Sequence, residues 1–275
     1  MPRHATTRHY LMCRPTYFEV TEARTPWMDP DEPVNAAVAC RQWEQLRDRL
    51  RALGHTVEEL PPRPGAPEMV FAANGATVID GRVLGARFTH RERVLEAAVH
   101  REWFLSHGVT AYREPEHLNE GEGDYAITSS WLLAGHGFRT DLSSHAEAQE
   151  FFDRPVLALE LVDPRYYHLD TALAVLDPAA DEIMYYPGAF SEASRAVLRH
   201  RFPDAVLADS AHAEALGLNA VSDGWHVLLP EAAHKLFPAL RARGFEPIGI
   251  DLSELAKSGG GAKCCVQELR GLASH

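Results

Sequence analysis

Three stretches of this chain gather side chains that could do chemistry. The first is Ser258-Gly259-Gly260-Gly261-Ala262-Lys263-Cys264-Cys265-Val266, a thiol behind a glycine run. A thiolate there could attack a carbon centre, and the glycines would let the backbone approach a ligand closely. The second is Arg165-Tyr166-Tyr167-His168-Leu169-Asp170-Thr171. In an extended strand His168 and Asp170 share one face, which suits a general acid/base next to an acid, or a pair bracketing a cation. The third is Asn119-Glu120-Gly121-Glu122-Gly123-Asp124, carboxylates interleaved with glycines on a bendable loop. Each has an ordinary alternative: buried cysteines acting as small hydrophobes, a satisfied histidine among fifteen, and a solvated acidic turn. Calcium-loop spacing is absent from the acidic run.

Such groups need rigid elements to hold them. Met69–Ile79 reads as a strand, Asp80-Gly81 as a hairpin turn, and Arg82–Phe88 as the partner strand. Val94, Ala97, Ala98, Trp103 and Phe104 are spaced for a helix over 91–107, followed by a short strand at Val109–Tyr112. The same order returns. Asp124–Ile127 and Trp131–Gly135 form a strand pair, with a helix near Ala146–Phe152 and a strand at Val156–Leu161. Next come Asp170–Leu176, Glu182–Tyr186, a helix over Ser191–Arg201 with Ser191 as N-cap, and Ala205–Ala208. Ala220-Val221, Trp225–Leu229, a helix opened by Pro230 and the strand Ile248–Ile250 complete a fourth round. At the start, Tyr10–Cys13 reads as a strand and about Val34–Leu53 as a long helix. This is a ββαβ-like unit used about five times, at roughly 45–50 residues per unit. Units this short cannot bury a sheet face alone, so they are expected to share one core as an α/β ring or propeller, with chemistry at the strand ends. No Pro/Gly/Ser-rich linker interrupts the chain, which reads as a single domain over 1–275.

Composition narrows the partners. The 275 residues carry a formal charge of −12, which disfavours nucleic acid, because phosphate binding draws on clustered Lys and Arg. No run approaches the ~18 apolar residues of a membrane span. The start Met1-Pro2-Arg3-His4-Ala5-Thr6-Thr7-Arg8 lacks an apolar h-region, so a cytoplasmic location is expected. The four cysteines, Cys13, Cys40, Cys264 and Cys265, contain no CxxC pair and read as reduced thiols rather than a disulfide or zinc framework.

Taken in order, Phe71-Ala72-Ala73-Asn74, Glu120-Gly121-Glu122-Gly123-Asp124, His168-Leu169-Asp170 and Gly259-Gly260-Gly261-Ala262-Lys263-Cys264 resemble the guanidine-modifying enzymes of the pentein fold, a five-bladed α/β propeller. That family includes dimethylarginine dimethylaminohydrolases, arginine deiminases, arginine:glycine amidinotransferases and arginine dihydrolases. The resemblance runs from about Leu11 to Leu269. It implies Cys264 as nucleophile, His168 as general acid/base, and Asp170 as an acid holding the guanidinium. Arg87 and Arg139 resemble arginines that bind a substrate carboxylate. Two positions depart from the pattern: Asn74 stands where members commonly have aspartate, and Gly121 where an acid is expected. Glu120 is taken as that catalytic acid, with Glu122 the alternative. Asn74 is similar to the residue found in enzymes that cleave both C–N bonds and release ornithine.

The resemblance thus implies a hydrolase acting on the guanidinium of arginine or a methylated arginine through a covalent thiouronium, dimethylargininase-like, with arginine dihydrolase the alternative. It implies no metal and no organic cofactor. An amidinotransferase and a non-catalytic pentein binding module are the further alternatives. Members are often dimeric, so a homodimer is an expectation for which the residues identify no interface.

Overall fold

The computed structural model describes residues 3–273. Its strands form five three-stranded sheets. In each, a short first strand pairs antiparallel with a central strand, and the strand after the crossover pairs parallel with that central strand. One sheet joins Ala76–Ile79, Arg82–Gly85 and Tyr112–Arg113 around the helix Val94–Ser106. The next joins Tyr125–Ile127, Leu132–His136 and Val156–Glu160 around Leu142–Phe152. Leu173–Asp177, Glu182–Tyr185 and Val206–Leu207 follow with the helix Glu192–Arg201, and then Val221–Ser222, His226–Pro230 and Glu246–Ile250 with Phe237–Ala242. The last sheet is built from both halves of the chain: Gln267–Glu268 supplies the first strand beside His9–Cys13 and Thr56–Leu60, whose crossover carries the helix Ala36–Ala52. This is the five-bladed α/β propeller of repeated ββαβ units expected from the sequence.

Local rules explain the elements. Asp80 and Gly81 both take positive φ, +52° and +76°, as the two-residue turn of a right-twisted hairpin requires. Asn35 caps the long helix by accepting from Val38 N at 3.1 Å, and Ala39, Trp43, Leu46 and Leu50 bury one face at three- and four-residue spacing. The Ser191 side chain caps the helix Glu192–Arg201 as expected.

Each strand expected to run continuously into a site motif is broken ahead of its sheet. Met69–Gly75 is not strand: Pro67–Val70 and Ala72–Gly75 are single 3-10 turns, and the strand begins at Ala76. Likewise Gly121–Gly123 and Leu169–Thr171 are 3-10 turns ahead of Tyr125 and Leu173. Asp170 therefore sits in a turn, whereas His168 before it is extended at φ −116°, ψ 150°. The helix after Pro230 is also displaced, a 3-10 segment at Glu231–Leu236 preceding Phe237–Ala242. Alternation of side chains makes such segments look like strand, but their backbone N–H groups bond three residues back rather than to a neighbouring strand. The result is a compact entry turn before the first strand of the sheets.

Gly121 shows why one of these turns needs its glycine. Its φ is +55°, and a Cβ there would lie 2.6 Å from the Ala76 carbonyl oxygen and 2.8 Å from that of Ala73. Gly121→Ala is expected to lose at least about 2 kcal/mol, combining the left-handed penalty with two backbone clashes that no side-chain rotation relieves. Chemical denaturation measures this; a loss under about 0.5 kcal/mol would show that the turn relaxes freely.

Candidate active site

The entry turns bring the sequence candidates together. Cys264 Sγ lies 3.0 Å from Asp170 Oδ2, in the geometry of a thiol donating to a carboxylate. His168 Nε2 lies 2.8 Å from Glu120 Oε2. Asn74 and His168 face each other across Gly123, where an added Cβ would sit 2.3 Å from Asn74 Nδ2 and 3.3 Å from the imidazole. Cys264, His168, Glu120, Asp170 and Asn74 are all buried. Ala73 N donates to the Cys264 carbonyl at 3.0 Å and so ties two of the turns together.

The two glutamates separate cleanly. Glu120 meets His168, the Arg139 guanidinium at 3.4 Å and the Arg93 guanidinium at 3.5 Å. Burial alone would push its carboxyl up, but the His168 hydrogen bond and charge, with Arg139 and Arg93, hold it well below the usual carboxylate range. Glu122 instead accepts from Lys263 Nζ at 2.6 Å, from the Arg270 guanidinium and from Glu268 N at 3.2 Å. It fastens the sheet closed by Gln267–Glu268, and none of its hydrogen bonds goes to His168. The left-handed Gly121 between the two carboxylates sends them to different neighbours.

Asp124 holds the catalytic-looking histidine through its backbone. It accepts from Leu169 N at 3.0 Å and from Thr140 Oγ1 at 2.7 Å, and burial raises its carboxyl to about 6. The two arginines singled out by sequence part company. Arg139 is buried, near Glu120, with its guanidinium over the Tyr167 ring at 4.5 Å. Arg87 is exposed; its backbone bridges Asn119 and its guanidinium donates to the Glu116 carbonyl, so it does not join the buried group. Trp27 is partly buried, donating from Nε1 to the Arg165 carbonyl at 2.7 Å.

Sequence reasoning missed two further groups. Arg93 is a buried cation bonded to Asn74 Oδ1 at 3.0 Å and to Glu96, with Glu68 Oε2 at 3.2 Å. It lies in a helix-entry segment whose charged neighbours made it look like surface. Asn219 donates from Nδ2 to Cys264 Sγ at 3.0 Å. No motif surrounds it, yet it stands just ahead of the strand Val221–Ser222, in the entry segment of the one sheet from which no candidate had been drawn. The repeat itself was the signal that could have found it.

Two buried polar atoms in this cluster have no partner: Asp170 Oδ1, an acceptor, and Asn74 Nδ2, a donor. Since Arg93 offers only N–H groups, the Asn74 oxygen must face it and the amide nitrogen is left facing the site. Burial raises the Cys264 thiol well above its ordinary range, with the Asp170 charge and hydrogen bond adding to it. The arrangement thus holds a protonated thiol against a carboxylate that has room for one more donor, beside a histidine–carboxylate pair. Among the described residues no cluster of His, Cys, Asp and Glu is arranged to hold a metal ion, and no helix is long and apolar enough to cross a membrane.

No family profile matches the chain. It is 48% identical over 267 residues to an N(G),N(G)-dimethylarginine dimethylaminohydrolase of Mycobacterium tuberculosis, covering 97% of this chain and 87% of that protein. It is 36% identical over 262 residues to a bifunctional arginine dihydrolase/ornithine cyclodeaminase of Nostoc, covering 93% of this chain but only 37% of that longer protein. Among solved structures, the N-terminal domain of a cyanobacterial arginine dihydrolase bound to substrate superposes with a TM-score of 0.90 at 31% identity, covering 96% of this chain and 98% of that one. A dimethylarginine dimethylaminohydrolase adduct at 18% identity shares the fold, with a TM-score of 0.77.

Proposed function

The chain belongs to the pentein family of dimethylarginine dimethylaminohydrolases and arginine dihydrolases, and from that premise we propose that it hydrolyses a C–N bond in the guanidinium of arginine or an Nω-methylated arginine, using Cys264 as nucleophile. One observation carries the assignment of roles. Cys264 Sγ is 3.0 Å from Asp170 Oδ2, while Asp170 Oδ1 is buried without a donor. A guanidinium N–H supplies that donor and sets its carbon beside the sulfur.

The steps follow from the charges. The bound cation offsets the Asp170 charge that otherwise disfavours the thiolate, so ionisation is coupled to binding, the thiol proton passing to solvent as the cation enters. Sulfur attacks the guanidinium carbon and a C–S bond forms. His168, held by Glu120, gives a proton to the departing nitrogen as the C–N bond breaks, leaving a thiouronium on Cys264. His168 then takes a proton from water, whose oxygen bonds to the same carbon. The C–S bond breaks and a ureido product leaves. We assign the substrate carboxylate to Arg139, which is buried beside Glu120. The same reading makes the chain one catalytic domain, and four free cysteines support a reducing, cytoplasmic setting.

A second reading, hydrolysis of both C–N bonds to give ornithine, is favoured by Asn74. A guanidinium offers only N–H groups, so it cannot satisfy the unpartnered Asn74 Nδ2. The oxygen of a ureido intermediate can, and an aspartate there would repel it. Purified protein should be incubated separately with arginine, monomethylarginine and asymmetric dimethylarginine, with products read by mass spectrometry. Citrulline with methylamine or dimethylamine supports single cleavage; ornithine with two ammonia from arginine supports the second reading. In that case Asn74→Asp should shift the product towards citrulline by about tenfold or more, one buried hydrogen bond's worth. No turnover of any of the three would overturn the substrate class.

A further inference from the structure

Asn219 is fully buried and uses all its hydrogen-bonding capacity at one place. Its Oδ1 accepts from Gly261 N and from Cys264 N, each at 3.0 Å. Its Nδ2 donates to the Asp170 carbonyl oxygen at 3.1 Å and to Cys264 Sγ at 3.0 Å. The four bonds fix which end of the amide is which: a flipped side chain would face NH2 to two N–H donors and its oxygen to a carbonyl.

We propose that Asn219 is a catalytic residue that holds the Cys264 sulfur as thiolate, its amide N–H opposing the adjacent Asp170 carboxylate. The proposal rests on Cys264 being the nucleophile. The surroundings of the sulfur give the reason. Asp170 touches it with a carboxylate, and burial adds to the cost of a negative charge there. The positive charges of His168 and Lys263 favour the Asp170 carboxylate. The Asn219 amide N–H is turned toward the sulfur, while Asn219 Oδ1 accepts the Gly261 N–H and holds the glycine turn in place. A single asparagine therefore both closes the glycine-rich turn and supplies a fixed dipole where charge develops, which is how preorganised donors contribute to catalysis. Its place in the repeat suits the task. It enters from the sheet Val221–Ser222, so the sulfur is gripped from a different blade than the one carrying it.

The test compares Asn219→Asp with Asn219→Ala. The aspartate keeps an oxygen for Gly261 N and Cys264 N but loses the donor to sulfur; the alanine loses both. Cys264 is alkylated with iodoacetamide across pH without substrate, the site being located by mass spectrometry, and kcat and KM for the best of the three guanidino substrates are measured alongside. In both variants the alkylation midpoint should move to higher pH by about one unit, and kcat should fall ~10–100-fold with KM within about threefold, as expected for one hydrogen bond to a charged group. A purely structural role would lower the melting temperature of Asn219→Ala and leave the alkylation midpoint of that uncharged variant where it was, whereas the carboxylate of Asn219→Asp adds its own upward shift. An unmoved midpoint with kcat within about threefold of the parent in Asn219→Ala overturns the proposal. Undiminished turnover in Cys264→Ser would instead overturn the nucleophile reading, and the alkylation midpoint, which needs no turnover, keeps the two failures apart.

Discussion

Cys264→Ser should lower turnover by on the order of 10⁴-fold or more, while leaving the protein folded and able to bind its guanidino substrate. A serine hydroxyl is a far weaker acid than a thiol, and the Asp170 carboxylate 3.0 Å away is too weak a base to ionise it. The fold should survive because the exchange is nearly isosteric and Asn219 Nδ2 can donate to the new oxygen as it does to sulfur. Asp170 remains to hold the cation, so a dissociation constant from calorimetry should stay within about tenfold. Intact-mass spectrometry of the parent protein, quenched in acid during turnover, should show a covalent adduct on Cys264 that is absent from the variant. Turnover within tenfold of the parent would mean that another group attacks the carbon.

The second large effect is on stability. In Arg93→Met a buried cation is removed from among three buried carboxylates. Arg93 bonds Glu96 at 2.8 and 3.0 Å, lies 3.2 Å from Glu68 Oε2 and 3.5 Å from Glu120 Oε2, and packs over the Phe88 ring at 4.5 Å. Methionine fills much of the volume but leaves the carboxylates short of a partner. Removing one member of a buried ionic cluster costs about 3–5 kcal/mol, which for a chain of this length lowers the melting temperature by ~10 °C. The deficit should depend on pH, with a definite sign. Burial already raises Glu96 to about 7 even with Arg93 beside it. A carboxyl whose folded value is raised contributes stability at low pH and loses it as pH rises through the folded value. Without Arg93 the carboxyls of Glu96, Glu68 and Glu120 all move up, so the folded variant binds more protons than the parent. The deficit should therefore be smaller near pH 5.5 than near pH 8. An equal deficit at both would show that lost packing, not stranded charge, is the cause. Arg93 also fixes Asn74 through Oδ1 at 3.0 Å, so the variant's product ratio should drift in the same direction as that of Asn74→Asp.

Glu68 makes clear why such a network escapes a linear reading. It is buried, it accepts from Arg24 at 2.6 Å, and its partners lie far along the chain in segments that look like surface. Pattern analysis assigns a charged residue to solvent because burying it alone is costly, and it has no means of seeing the partner that removes that cost. Arg87 errs in the opposite sense. It sits in a favourable motif, yet the backbone pairing of Arg87 with Asn119 turns its side chain outward. The strand readings failed at the entry turns, where the same side-chain alternation is produced by a 3-10 backbone, and at Val109–Tyr112, where the strand is Tyr112–Arg113 instead.

What the sequence determined by itself was whatever is local or periodic. The ββαβ repeat, the Asp80-Gly81 hairpin, the Ser191 cap and the clustering of chemistry at four of the strand entries all follow from spacing and turn chemistry within about ten residues. Tertiary structure decided the rest, because contacts across the ring join residues with no sequence relation. It chose Glu120 over Glu122 as the partner of His168, since the left-handed Gly121 between them sends the two carboxylates apart. It also brought Asn219 to the Cys264 sulfur from a neighbouring blade, forty-five positions away in the chain.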